Sequence, residues 1–95
     1  MDVQWTASAG KHGVPREDVI HAIVRYTYYV PGFDDSRIPG GLRPHLWIGP
    51  GRDGEPVEVM AERTGRSLVI FHAMKPARRK ITEIGRTKGR TRDDD

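Results

Sequence analysis

The chain has 95 residues, 36% hydrophobic and 31% charged, with a net charge of +3 and no cysteine. A polypeptide of this length buries roughly 60–65% of its unfolded surface, enough for one core and one domain. The lack of cysteine excludes a disulfide framework, a thiol nucleophile and a thiolate metal site.

Before residue 15 the pattern is weak: Trp5 is read as the possible start of a strand, and Thr6 to Lys11 as one or two helical turns. Pro15 followed by Glu17 and Asp18 opens a helix, because proline suits the first helical position and acids suit the positive end of the helix dipole. Val19, Ala22, Ile23 and Tyr26 recur at helical spacing, with Asp18, His21 and Arg25 on the other face, which predicts a helix over 15–25. Tyr26–Val30 is aromatic and β-branched and reads as a short strand stopped by Pro31-Gly32. Residues 31–44, crowded with Pro, Gly and Asp, read as a long loop of the partner-binding or mobile kind. His45–Gly49 is a strand, Gly49 to Glu55 a hairpin loop, and Pro56–Glu62 a strand with Val57, Val59 and Ala61 on one face and Glu58, Met60 and Glu62 on the other. After a turn at Thr64-Gly65, Ser67–Ala73 is apolar on both faces, as a central strand would be. Pro76 opens a second helix over 76–84, with Ile81 and Ile84 as its apolar contacts and Gly85 as its end. Residues 86–95 carry no apolar side chain and read as a disordered charged tail after a domain of residues 1–85. The fold class is therefore α+β: a small single domain with one or two N-terminal helices, a mainly antiparallel four-stranded sheet and a C-terminal helix.

Charge is segregated along this plan. Residues 1–74 hold eight Lys/Arg against nine Asp/Glu, whereas residues 75–92 hold eight basic residues against Glu83 alone. Such a segment suits a polyanion, nucleic acid foremost, and equally a solvated tail that keeps a small protein in solution. The longest uncharged apolar run, Leu68–Phe71, is far short of the ~20 residues that span a bilayer, and Met1–Trp5 lacks the features of a secretory signal. The expectation is a cytoplasmic domain with no membrane partner.

The order and spacing of several motifs resemble the BrnT-type ribonuclease toxins. Trp5, then Lys11-His12-Gly13-Val14, then the helix opened near Pro15 by Glu17 and Asp18, is similar to the start of that family. Leu46-Trp47-Ile48-Gly49, Val57-Glu58-Val59-Met60 and Leu68–Ala73 resemble its three-strand meander, and Lys75 with Arg78-Arg79 its basic run. The likeness covers about residues 3–84, with a shorter first segment, His72-Ala73-Met74 at the last strand end and Pro76 within the basic run as departures. It implies a fold of the RelE/ParE toxin superfamily and cleavage of RNA without a metal, a cofactor or the ribosome. It also implies a cognate antitoxin of the ribbon-helix-helix or helix-turn-helix DNA-binding type, with DNA reached only through that complex. A non-enzymatic protein of the same fold, acting by binding a protein or nucleic acid, is the alternative. A small nucleic-acid-binding module working through its basic tail is a third reading.

RNA cleavage by side chains needs a base for a 2′-hydroxyl, cations for the phosphate and a donor for the leaving oxygen. His72, at a strand end, is the best acid–base group by position and by histidine's titration near neutral pH. Arg78 and Arg79 follow near a helix start, where guanidinium forks and free N–H groups favour phosphate. These three are the candidate catalytic residues, and Lys75, Lys80, Lys11 and His12 are the candidate RNA contacts. His12 also reads as a turn residue packed on Trp5, His21 as solvated, and His45 as structural. Glu58 and Glu62 read as solvent-facing carboxylates unless their sheet face is the open one, in which case either is a possible base. The histidines lack His-x-x-x-His spacing and no glycine-rich phosphate loop is present, so neither a metal nor a nucleotide cofactor is expected. Tyr26, Tyr28 and Tyr29 read as packing residues more than base-stacking ones.

Overall fold

The computed structural model describes residues 2–33 and 44–92. Its elements run β1 (Asp2–Trp5), a 3-10 turn (Ala7–Gly10), α1 (Arg16–Val24), β2 (Tyr28–Val30), β3 (His45–Pro50), β4 (Pro56–Thr64), β5 (Ser67–Met74) and α2 (Arg79–Lys88). The expected α+β domain is present, but the sheet has five strands, in the order β1-β5-β4-β3-β2. β2 to β5 pair antiparallel in sequence order, while β1 adds to the edge of β5 in parallel, with Asp2 opposite Ser67 and Trp5 opposite Ile70. Asp2, Val3 and Gln4 are exposed, so β1 carries no apolar alternation; backbone pairing to β5 and the half-buried Trp5 at its end recruit it. That pairing gives β5 a neighbour on each side, as its two-faced apolar sequence requires. Most of the predicted 31–44 loop lies outside the described residues, at 34–43; Phe33 N–H donates to the Pro44 carbonyl at 2.7 Å and joins its two ends.

Both sheet faces are covered. Val19 and Ala22 of α1 pack with Trp47, Val57, Val59, Ala61, Ile70 and Ala73. On the other face Ile81 of α2 packs with Val30, Leu46, Ile48 and Met60, joined by Phe71 and Ile84. The strict alternation of β3 and β4 divides their side chains between these layers.

Two glycines set the helix distances. A Cβ on Gly49 would overlap the Ala22 carbonyl oxygen and come within 2.9 Å of Tyr26 Cα, so α1 rests directly on the backbone of β3. Gly49→Ala should cost about 3 kcal/mol by overpacking and lower the melting temperature by roughly 10 °C or more. Thermal melts followed by circular dichroism check this; a variant within ~3 °C of the parent would show that α1 yields freely at this crossing.

Gly85 has a corresponding place on the opposite face, and it corrects the reading of the second helix. That helix was expected over 76–84 with Gly85 as its stop, but α2 begins at Arg79 and runs through Gly85 to Lys88. Gly85 is buried, and a Cβ there would meet Ile48 at 3.0 Å and Tyr28 at 3.1 Å. It is glycine for close approach, not for termination. Residues 86–92 accordingly are not a disordered tail: α2 continues to Lys88, and Arg90 exchanges backbone hydrogen bonds with Tyr29 at 2.8 and 2.9 Å. Asp93–Asp95 lie outside the described residues.

One irregularity interrupts the sheet. Met60 pairs with His72 but Ala61 pairs with Ile70, so Phe71 is an extra residue in β5. A bulge of this kind re-aims the side chains beyond it. Ile70 and Ala73 therefore both face α1, while Phe71 packs on the α2 side.

Candidate functional site

β4 alternates, and Glu58 lies between Val57 and Val59, whose side chains fill the α1 layer. Glu58 therefore enters the α2 side of the sheet, together with Met60. It has no exposed surface, so the expectation of a solvent-facing carboxylate is overturned. A buried carboxylate is stable only when cations and donors surround it. Here they come from the chain that follows β5.

The bulge places His72 opposite Met60 and diagonal to Glu58, and its Nε2 lies 2.8 Å from Glu58 Oε2. Against an ionised carboxylate that nitrogen must donate, so a neutral His72 would keep Nδ1 as its acceptor. Arg78 closes the cluster from the start of α2. Its backbone N–H donates to Glu58 Oε1 at 2.8 Å, Nε donates to Oε1 at 3.0 Å, and Nη2 donates to Oε2 at 2.7 Å. This fork and the backbone bond occupy Arg78 at the residue before the helix, with extended angles of φ −67° and ψ 143°.

Burial acts to raise the Glu58 pKa, but the hydrogen bonds from His72 and from the Arg78 side chain and backbone, with the Arg78 charge, bring it down from 4.5 to about 2. The carboxylate is a fixed anion, and the same contacts raise the Arg78 guanidinium further above its ordinary value. The His72 side chain is 16% exposed and that of Arg78 50%, so the cluster opens to solvent on its cationic side. Arg78 Nη1 takes no part in the Glu58 bonds and is available to an incoming anion.

His12 completes the group. It stands between the 3-10 turn and α1, and its ring meets that of His72 edge-to-face, with centroids 5.6 Å apart and planes at 78°. The turn is held against β5 by Ser8, whose hydroxyl donates to the Phe71 carbonyl at 2.7 Å. The expected packing of His12 on Trp5 is not what positions it; Arg16 lies over the Trp5 ring at 4.9 Å.

The other predicted residues divide. Arg79 and Lys80 are exposed on the first turn of α2, beside the cluster in sequence, and line a shallow surface groove with Glu83, Ile84 and Thr87. Lys11 is exposed next to His12. Lys75 is engaged elsewhere: its Nζ donates to Asp53 at 2.7 Å and lies 3.7 Å from Asp18 of α1. Hydrogen bonding to Asp53 raises the Lys75 pKa, and Arg52 and Lys75 respectively lower those of Asp18 and Asp53. Lys75 thus anchors the turn after β5. His21 bonds the Pro50 carbonyl through Nδ1 at 2.8 Å, which corrects its reading as merely solvated. His45 stacks on Tyr29 and Trp47, with Nδ1 2.6 Å from the Tyr29 hydroxyl, and is structural as expected.

Glu58 is the site residue the sequence reading undervalued. The available signal was an acid flanked by two valines in a strand, followed within the chain by a histidine and paired arginines. Among the described residues no three His, Asp or Glu side chains converge as a metal site, and no helix is long and apolar enough to cross a membrane. No protein-family model, curated protein or solved structure matches the chain.

Proposed function

We propose that the chain is a metal-independent endoribonuclease of the BrnT-like kind, with a RelE/ParE-type fold, acting as the toxin of a type II toxin–antitoxin pair. The observation that carries this reading is the buried carboxylate–imidazole–guanidinium cluster of Glu58, His72 and Arg78. Its parts match the demands of phosphodiester cleavage. Glu58 fixes the ring of His72 and the tautomer in which Nδ1 accepts a proton. A 2′-hydroxyl delivered to that nitrogen would lose its proton as it attacks the adjacent phosphorus. Arg78 Nη1, with Arg79 and Lys80 on the next turn, supplies positive charge where negative charge grows on the phosphate oxygens. His12 meets the ring, and Lys11, exposed beside it in sequence, would extend the contact surface along an RNA strand. The partner in this reading is an antitoxin of the ribbon-helix-helix or helix-turn-helix type, which would cover the cationic surface.

The test is direct. Expressed alone, the protein should arrest growth, and the purified chain should cleave RNA in the presence of EDTA. Arg79→Ala, an exposed substitution, should relieve the arrest with the fold intact. Full growth and intact RNA with the folded parent protein would end this reading in favour of a binding protein.

A further inference from the structure

We propose that His12 is the proton donor to the leaving 5′-oxygen, so that His72 and His12 form a base–acid pair acting on one phosphate. The inference rests on the RNA-cleavage reading above and assigns the chemistry of its second half. Displacement at phosphorus places the entering and departing oxygens roughly in line on opposite sides of the phosphoryl group. A base and an acid must then stand close together, each within about 2.6–3.2 Å of its own oxygen. Two imidazoles whose ring centroids lie 5.6 Å apart are close enough to address one phosphate.

The roles follow from the surroundings. His72 donates through Nε2 to the ionised Glu58, which holds the ring in the tautomer whose Nδ1 can accept a proton. His12 is exposed, at the end of the 3-10 turn, where it can reload its proton from water. The neighbouring cationic side chains are of the wrong chemistry for this step: as a class guanidinium groups hold their protons, and ammonium groups release theirs far less readily than an imidazolium.

The step balances. The 2′-hydroxyl proton passes to His72 as the 2′-oxygen–phosphorus bond forms. The bond from phosphorus to the 5′-oxygen breaks, and that oxygen takes the His12 proton. The products are a 2′,3′-cyclic phosphate and a 5′-hydroxyl, with His72 protonated and His12 neutral until water exchanges their protons.

The experiment uses the full chain and an RNA cut by the parent protein at a mapped position, in two forms. One has the natural 5′-oxygen at that position; the other has a bridging 5′-sulfur, which departs without a proton. On the natural RNA, His12→Ala should lose ~10²-fold or more in kcat. On the sulfur-bridged RNA it should return to within about tenfold of the parent, whereas His72→Ala should remain impaired. Because His12 is exposed, its melting temperature should stay near the parent's. Equal losses on both substrates, or His12→Ala within a few-fold of the parent on natural RNA, would overturn the assignment and leave the ribonuclease reading standing. A folded parent that cleaves neither substrate would overturn both.

Discussion

Acidification from pH 4.5 towards 2 should remove about 3 kcal/mol of stability through Glu58 alone, since its pKa falls from 4.5 to about 2 on folding. The folded state holds the carboxylate ionised, so its contribution is complete above the unfolded pKa and is lost as pH falls through the folded one. The burial of Glu58 removes most solvent screening, which makes the effect large for a single carboxylate. Asp18, Asp53 and Glu83, also held low by hydrogen bonds from Arg52, Lys75 and Arg86, slope the curve in the same direction. Glu58→Gln separates the contributions. It keeps the shape and an acceptor oxygen but removes the charge, so stability at pH 7 should fall by about 3 kcal/mol while the acid limb becomes shallower. Denaturant unfolding of both proteins from pH 7 to 2 measures this. Identical slopes would mean that the Glu58 cluster is not closed in solution.

On the proposed ribonuclease reading, His72→Asn should lower the rate of RNA cleavage by ~10²–10⁴-fold, the usual contribution of positioned acid–base catalysis. Asparagine can still donate a hydrogen bond to Glu58 but cannot accept and release a proton near neutral pH. The parent rate should rise with pH as the base becomes neutral, and the variant should show no such limb. A His72→Asn variant within a few-fold of the parent, with the same pH profile, would take His72 out of the mechanism and leave Arg78 as a phosphate ligand only.

Much of this architecture is visible in the side-chain pattern. The meander of β3, β4 and β5 follows from Val57, Val59 and Ala61 alternating with polar or larger residues, and α1 follows from Pro15, Glu17 and Asp18 ahead of a helical stripe. Those signals survive because each buries the face it advertises. β1 is weak in the sequence because an exposed edge strand is held mainly by its backbone partners, with Trp5 packed on the core at its end. α2 was misjudged at Gly85 because glycine serves both to end helices and to let them pack closely, and the distinguishing neighbours, Tyr28 and Ile48, are distant in sequence.

The site divides the same way. The nearness of His72 and Arg78 is legible because a strand end followed by a helix start brings the two together, here around Glu58. Glu58 was not, because its burial depends on a helix closing over its side of the sheet, and α2 does so through Ile81 and Gly85. Nor could the sequence separate Lys75 from Arg78. They lie three residues apart, yet Lys75 is drawn to Asp18 and Asp53 while Arg78 is drawn to Glu58.

The extra residue at Phe71 makes the site sensitive to parity. Strand positions alternate with period two, and the bulge adds one count between Ile70 and His72. Deleting Phe71 alone would restore a regular ladder with Ile70 opposite Ala61 and His72 opposite Met60, and both faces would stand; ironing out the bulge with every residue kept would instead exchange His72 and Ala73 between the faces, sending an imidazole into the apolar α1 layer and a methyl group towards Glu58. Substitutions along β5 thus act locally, whereas loss of the bulge at unchanged length would turn the site over.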